Sequence, residues 1–138
     1  MRRLHHLLPI AALGLIACAS TPGGPTASSM RQVPRPDENV TFVQEGKATW
    51  YGREQHGGPT ASGERFDMNA LTAAHKTLRM NTRVRVTNLN NGRSVIVRIN
   101  DRGPYAAGRI IDVSRAAAQV LEMIDRGVVP VRIEALKQ

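Results

Sequence analysis

The chain has 138 residues and a mass of 15.1 kDa, which at roughly 100–200 residues per domain is one domain once targeting segments are set aside. Aromatic residues are only 4%, so any core must be built from Val, Ile, Leu, Ala and Met, and there is no glycine-rich strand-to-helix turn of the kind that cradles a dinucleotide. The formal charge of +8 and a pI near 11.0 would ordinarily suggest nucleic acid, a reading that the N-terminus removes.

Residues 1–17 read as a secretory leader. Arg2 and Arg3 precede an apolar run from Leu7 to Ala17, too short to span a bilayer but suited to a signal peptide. The run closes on Leu15-Ile16-Ala17-Cys18, which resembles the lipobox of bacterial lipoproteins. Cys18 is the single cysteine of the chain, so no disulfide forms within it, and it is the expected site of acylation. Ala19 rather than Asp follows it, which points to an outer-membrane lipoprotein facing the periplasm. Without Arg2 and Arg3 the chain keeps 17 basic and 11 acidic residues, a net +6. Outside the cytoplasm such a surface implies attraction to the wall or to lipid headgroups, and no nucleic-acid partner is expected.

Residues 18–44 read as the lipidated cysteine and a flexible linker. The stretch from Ser20 to Ser29, with Pro34 and Pro36 beyond it, cannot bury enough apolar area to offset its ordering entropy.

Residues 45–136 read as the folded domain. Lys47 to Tyr51 suggests a strand, followed by a glycine-bearing loop from Gly52 to Gly63. Arg83 to Thr87 and Ser94 to Ile99 alternate at period two. Between them Asn90-Asn91-Gly92 predicts a tight hairpin with a primed turn. Ser114 is a candidate N-cap for a helix running to Leu121, and Val128 to Ile133 predicts the last strand. Many short strands with one or two short helices argue a mainly β fold, a small closed barrel.

Six blocks occur in order: Gly46-Lys47-Ala48-Thr49-Trp50-Tyr51-Gly52, Thr60-Ala61-Ser62-Gly63-Glu64, Leu71-Thr72-Ala73-Ala74-His75, Val84-Arg85-Val86-Thr87-Asn88, Asn100-Asp101-Arg102-Gly103-Pro104 and Ile111-Asp112-Val113-Ser114. Together they resemble the rare lipoprotein A family, peptidoglycan lytic transglycosylases with a six-stranded double-psi β-barrel. The resemblance implies cleavage of the β-1,4 bond between muramyl and glucosaminyl residues to leave 1,6-anhydro ends. It further implies stem-peptide-poor strands as substrate and a part in wall remodelling or daughter-cell separation. The expected form is the one lacking the C-terminal glycan-binding repeat domain found in many members. A monomer without cofactor is expected.

Cutting a glycosidic bond needs a proton donor on the leaving oxygen. Asp101 is the only carboxylate between Arg79 and Arg109, a stretch with seven arginines. On residues alone it is either an acid/base or an Asx-turn residue neutralised by Arg98 or Arg102. Glu64, Asp67 and His75 are either a second polar cluster or, respectively, two solvated loop acids and a satisfied barrel histidine. The resemblance matches all four to the family's polar site and so implies catalytic roles. Trp50 and Tyr51, adjacent in a strand, point to opposite faces, so one packs and the other offers a sugar platform; Arg102 joins them as substrate-binding. Asp112 reads as a structural partner of an arginine. A zinc site built on His56, His75 and an Asp lacks dense ligand spacing, and no metal is expected. The competing functional class is a non-catalytic, expansin-like wall-binding module.

Overall fold

The computed structural model describes residues 39–138; the leader, Cys18 and most of the expected linker lie outside them. Six strands and one helix follow in the order β1 (Val40–Tyr51), β2 (Thr72–His75), β3 (Arg83–Asn88), β4 (Ser94–Asp101), β5 (Arg109–Ser114), α1 (Arg115–Val120) and β6 (Val129–Leu136). The strands close into a barrel in the order β1-β5-β2-β4-β3-β6. β1 runs parallel to β5 and β2 parallel to β4; the remaining neighbours are antiparallel.

Alternation places the aliphatic residues inside. Val84 and Val86 of β3, Val97 and Ile99 of β4, and Val129, Val131 and Ile133 of β6 are essentially fully buried. Helix α1 adds Ala117 and Ala118, and Leu121 and Met123 follow it into the same core. Ser114 caps the helix as expected: its Oγ accepts from Ala117 N and donates to the Ala70 carbonyl at 2.6 Å, tying the loop before β2 to the helix.

Two local expectations need correction. The barrel begins at Val40, not at residue 45, because Val40 to Gln44 pair with Leu136 to Ile133 of β6 and complete the closure. The β3–β4 connection is no two-residue primed turn either. Only Gly92 of Asn90-Asn91-Gly92 takes a positive φ, +76°. Asn88 Oδ1 accepts from Asn90 N and Asn91 Oδ1 from Arg93 N, so side chains stabilise a longer loop without left-handed asparagines.

Candidate active site

Two register irregularities aim the site. Ala73 pairs with Ile99 but Ala74 with Asp101, so Asn100 is the extra residue in β4. Likewise Lys47 pairs with Arg109 and Ala48 with Ile111, which makes Ile110 the extra residue in β5. A bulge redirects the side chains that follow it. Beyond the first comes Asp101; beyond the second comes Asp112. Ala74 lies between them, paired with Asp101 on one side and Asp112 on the other. The methyl of Ala74 therefore floors a cleft of about 240 Å³ flanked by Tyr51, Phe66, Asp101, Arg102 and Asp112.

Asp101 Oδ1 accepts from the backbone N–H groups of Ala61, at 2.9 Å, and Arg102, at 2.8 Å. Asp112 faces Thr49 across β1, and Thr49 Oγ1 donates to its Oδ1. Burial pushes the Asp112 carboxyl above the usual aspartate range; Arg109 opposes this and the charge on Asp101 adds to it. Burial, then Asp101 and Asp112, also raise the Tyr51 phenol, so it stays protonated. The Tyr51 hydroxyl is buried without a hydrogen-bond partner among the described residues, and its ring packs on Phe66 at 4.4 Å between centroids. The cleft thus holds one carboxyl that burial makes harder to ionise beside a second carboxylate.

Glu64 stands outside this cleft. Its Oε1 accepts from the buried Asn100 amide at 2.7 Å, and Arg98 pairs with it at 2.9 Å. Hydrogen bonds from Asn100 and Arg98 hold its carboxyl below the usual glutamate range, which disfavours proton donation. The backbone around Glu64 is held in a fixed loop. Thr60 Oγ1 donates to the Glu64 carbonyl, and Ser62 N donates to the Asn100 carbonyl. The same loop carries the Ala61 N–H to Asp101.

Asp67 is exposed, accepts from Asn69 N at 2.9 Å in a local turn bond, and is not in the cleft lining. His75 is buried, 3% exposed. Its Nδ1 accepts from Thr77 N and Leu78 N, both at 3.1 Å, leaving Nε2–H to donate to Gln44 Oε1 at 3.0 Å. Burial, helped by Arg102 and Lys76, lowers its pKa and keeps it neutral. Of the expected polar set, Asp101 lines the cleft, while Glu64, Asp67 and His75 are not in its lining and bond to Asn100, Asn69 and the Thr77 and Leu78 amides respectively. Arg102 borders the cleft, with Nη1 donating to the carbonyls of Leu78 at 2.6 Å and His75 at 3.3 Å. Trp50 packs against the core and Tyr51 faces the carboxylates. Asp112, expected as a structural partner of an arginine, does feel the Arg109 charge, and it also lines the cleft beside Asp101. Among the described residues no three His, Cys, Asp or Glu side chains converge as metal ligands.

A family model described as lytic transglycolase matches residues 43–133, a span that contains every cleft residue. The chain belongs to the lytic transglycolase family. Relatives within it include the endolytic peptidoglycan transglycosylase RlpA of Neisseria meningitidis, 59% identical over 95 residues, covering 69% of this chain and 40% of that protein. The RlpA of Pseudomonas aeruginosa is 53% identical over 91 residues, covering 66% of this chain and 27% of that protein. The chain thus spans less than half the length of these relatives. Among solved structures, the Streptomyces papain inhibitor aligns with a TM-score of 0.58 at 26% identity, over 71% of this chain and 97% of that one. A Clavibacter michiganensis expansin in complex with cellohexaose aligns at 0.54 and 18% identity, over 70% of this chain and 51% of that one. This last likeness is one of fold alone.

Proposed function

We propose that this family member is a peptidoglycan lytic transglycosylase, a lyase that cuts glycan strands between the muramyl and glucosaminyl residues. The observation that carries the reading is the pair Asp101 and Asp112, flanking Ala74 in one cleft and set in unlike surroundings. Unequal environments are what separate the duties of two carboxyl groups. Asp112, kept toward its protonated form by burial, gives its proton to the glycosidic oxygen as the bond from the muramyl C1 breaks. The C6 hydroxyl of the same muramyl residue closes on C1, and its proton passes to Asp101. One C–O bond breaks, one forms, and no water is consumed. Transfer of the proton from Asp101 back to Asp112 resets the site. The names of the relatives, endolytic peptidoglycan transglycosylases, support the same substrate and class of reaction.

The test is digestion of sacculi in heavy-oxygen water with mass spectrometry of the products. The expected products end in 1,6-anhydro-muramic acid and carry no label at the cleaved end. Labelled reducing ends would mean a hydrolase. Absence of soluble product with binding intact would favour the expansin-like module.

Anchoring belongs to the same proposal. Acylation of Cys18, supported by the Leu15-Ile16-Ala17-Cys18 motif, holds the domain at the outer membrane on the periplasmic side. Cys18→Ser is expected to release the protein from membrane fractions. An unchanged mass and unchanged fractionation would refute the anchor.

A further inference from the structure

Beside the two-aspartate cleft lies a larger one of about 400 Å³, bordered by Trp50, Tyr51, Arg53, Glu54, Gln55 and Arg115. Tyr51 and Gln55 belong to both clefts, so a ligand filling the first has the second as its immediate neighbour. The reaction proposed above makes no use of it.

Its construction is specific. Gly52 N donates to Gln55 Oε1, and Gln55 N to the Gly52 carbonyl, both at 3.1 Å. This closed turn sets Arg53 at an exposed corner. A Cβ on Gly52 would lie 2.9 Å from Trp50 Cζ3 and 3.7 Å from Arg115 Cδ, so the glycine lets the indole and the arginine stem close over the backbone. Among the described residues neither the Arg53 nor the Arg115 guanidinium has an ion-pair or hydrogen-bond partner. Glu54 is the single acid in the lining. Two unpartnered forks against one carboxylate leave the cleft positive, and a guanidinium matches a carboxylate in a bidentate manner. Trp50, partly exposed at the same place, adds a flat apolar surface of the kind that packs on a sugar ring.

We infer that this second cleft is a subsite for a sugar-borne carboxylate, held by Arg53 and Arg115 with the pyranose against Trp50. The inference rests on the substrate class proposed above. In a glycan strand that carboxylate has two sources: the bare lactyl group of a muramyl residue stripped of its peptide, or the acidic positions of an attached stem peptide.

The experiment is calorimetric binding by the full chain carrying Asp101→Asn, so that strands are not consumed, with and without Arg53→Gln and Arg115→Gln. The probes are strands stripped of stem peptides, peptide-bearing strands, and β-1,4 oligomers of N-acetylglucosamine, which have the same backbone and no carboxylate. The double substitution should weaken muramyl-containing strands by about tenfold, 1.4 kcal/mol at 25 °C, and leave the uncharged oligomers unchanged. Added salt should weaken the unsubstituted arginine site in the same selective way. A loss seen on stripped strands assigns the lactyl carboxylate; a loss confined to peptide-bearing strands assigns the stem. Equal loss on the uncharged oligomers, or no loss on any probe, overturns the inference. Product analysis of the chain with Asp101 intact keeps the two readings apart. Anhydro ends with arginine-independent binding sink the subsite alone, and arginine-dependent binding without anhydro ends sinks the transglycosylase reading alone.

Discussion

Asp112 holds a carboxyl whose ionisation is opposed by burial and by the neighbouring Asp101 charge. Because its pKa is raised in the folded state, the folded chain binds its proton more tightly than the unfolded chain. Stability therefore falls as pH rises from the ordinary aspartate value through the raised one, and the penalty is complete above it. Asp112→Asn keeps the acceptor for Thr49 and removes that penalty. It should raise the melting temperature at neutral pH while lowering turnover at least about 100-fold, within the range of a lost general acid. In the unsubstituted protein kcat/KM should decline as pH rises through the Asp112 pKa. A variant that melts lower and cuts normally would return Asp112 to a structural role. His75 offers the opposite case. Its pKa is lowered, so stability is complete above the ordinary imidazole value near 6.5 and is lost as pH falls through the depressed one. His75→Ala removes a buried ring and the acceptor for the partly buried amides of Thr77 and Leu78, and is expected to cost about 1–3 kcal/mol. Denaturant titrations at pH 5 and pH 8 should show the variant less stable at both, with a smaller difference at pH 5.

Strand β2 is only four residues long, and all four are buried. Its Ala74 separates the two cleft strands, so its size sets the floor. Ala74→Val should add bulk beneath the substrate and cut kcat/KM by about tenfold or more, since small misplacements are costly in a positioned site. Circular dichroism should remain that of the barrel, and Ala74→Gly should retain more activity than the valine variant. The helix end gives an independent check. Ser114→Ala removes both the cap and the bond to Ala70, and should cost about 1–2 kcal/mol in urea unfolding. These elements were unequally legible in the sequence. Ser114 and the helix were readable because capping is local, and β3, β4 and β6 because alternation is local. The bulges at Asn100 and Ile110 were not: a bulge is a relation between strands, and no residue there announces it. Nor could the sequence show that Glu64 bonds Asn100 or that His75 accepts from two loop amides.

At the scale of the molecule, closure made the first five residues of β1 part of the barrel. A proline-rich approach told nothing of this, because pairing with β6 comes from nearly a hundred residues away. Composition foresaw the aliphatic core and the resemblance foresaw the strand count, but neither could place a carboxylate relative to another. The same first strand has a consequence for how the protein can be handled. The chain enters the barrel at Val40, beside Leu136, and reaches the clefts at Tyr51, at the far end of a strand of 12 residues. At about 3.3 Å per residue that is a span of up to roughly 35–40 Å. The strand sets the end of the barrel where the chain enters apart from the end that carries the clefts. Immobilised on a bead through residues before 39, the domain should release glycan fragments at the rate of the free protein. Coupled instead through a cysteine introduced at Gln55, on the rim shared by both clefts, it should release few or none. Equal rates from the two orientations would mean that cutting does not occur at that end of the barrel.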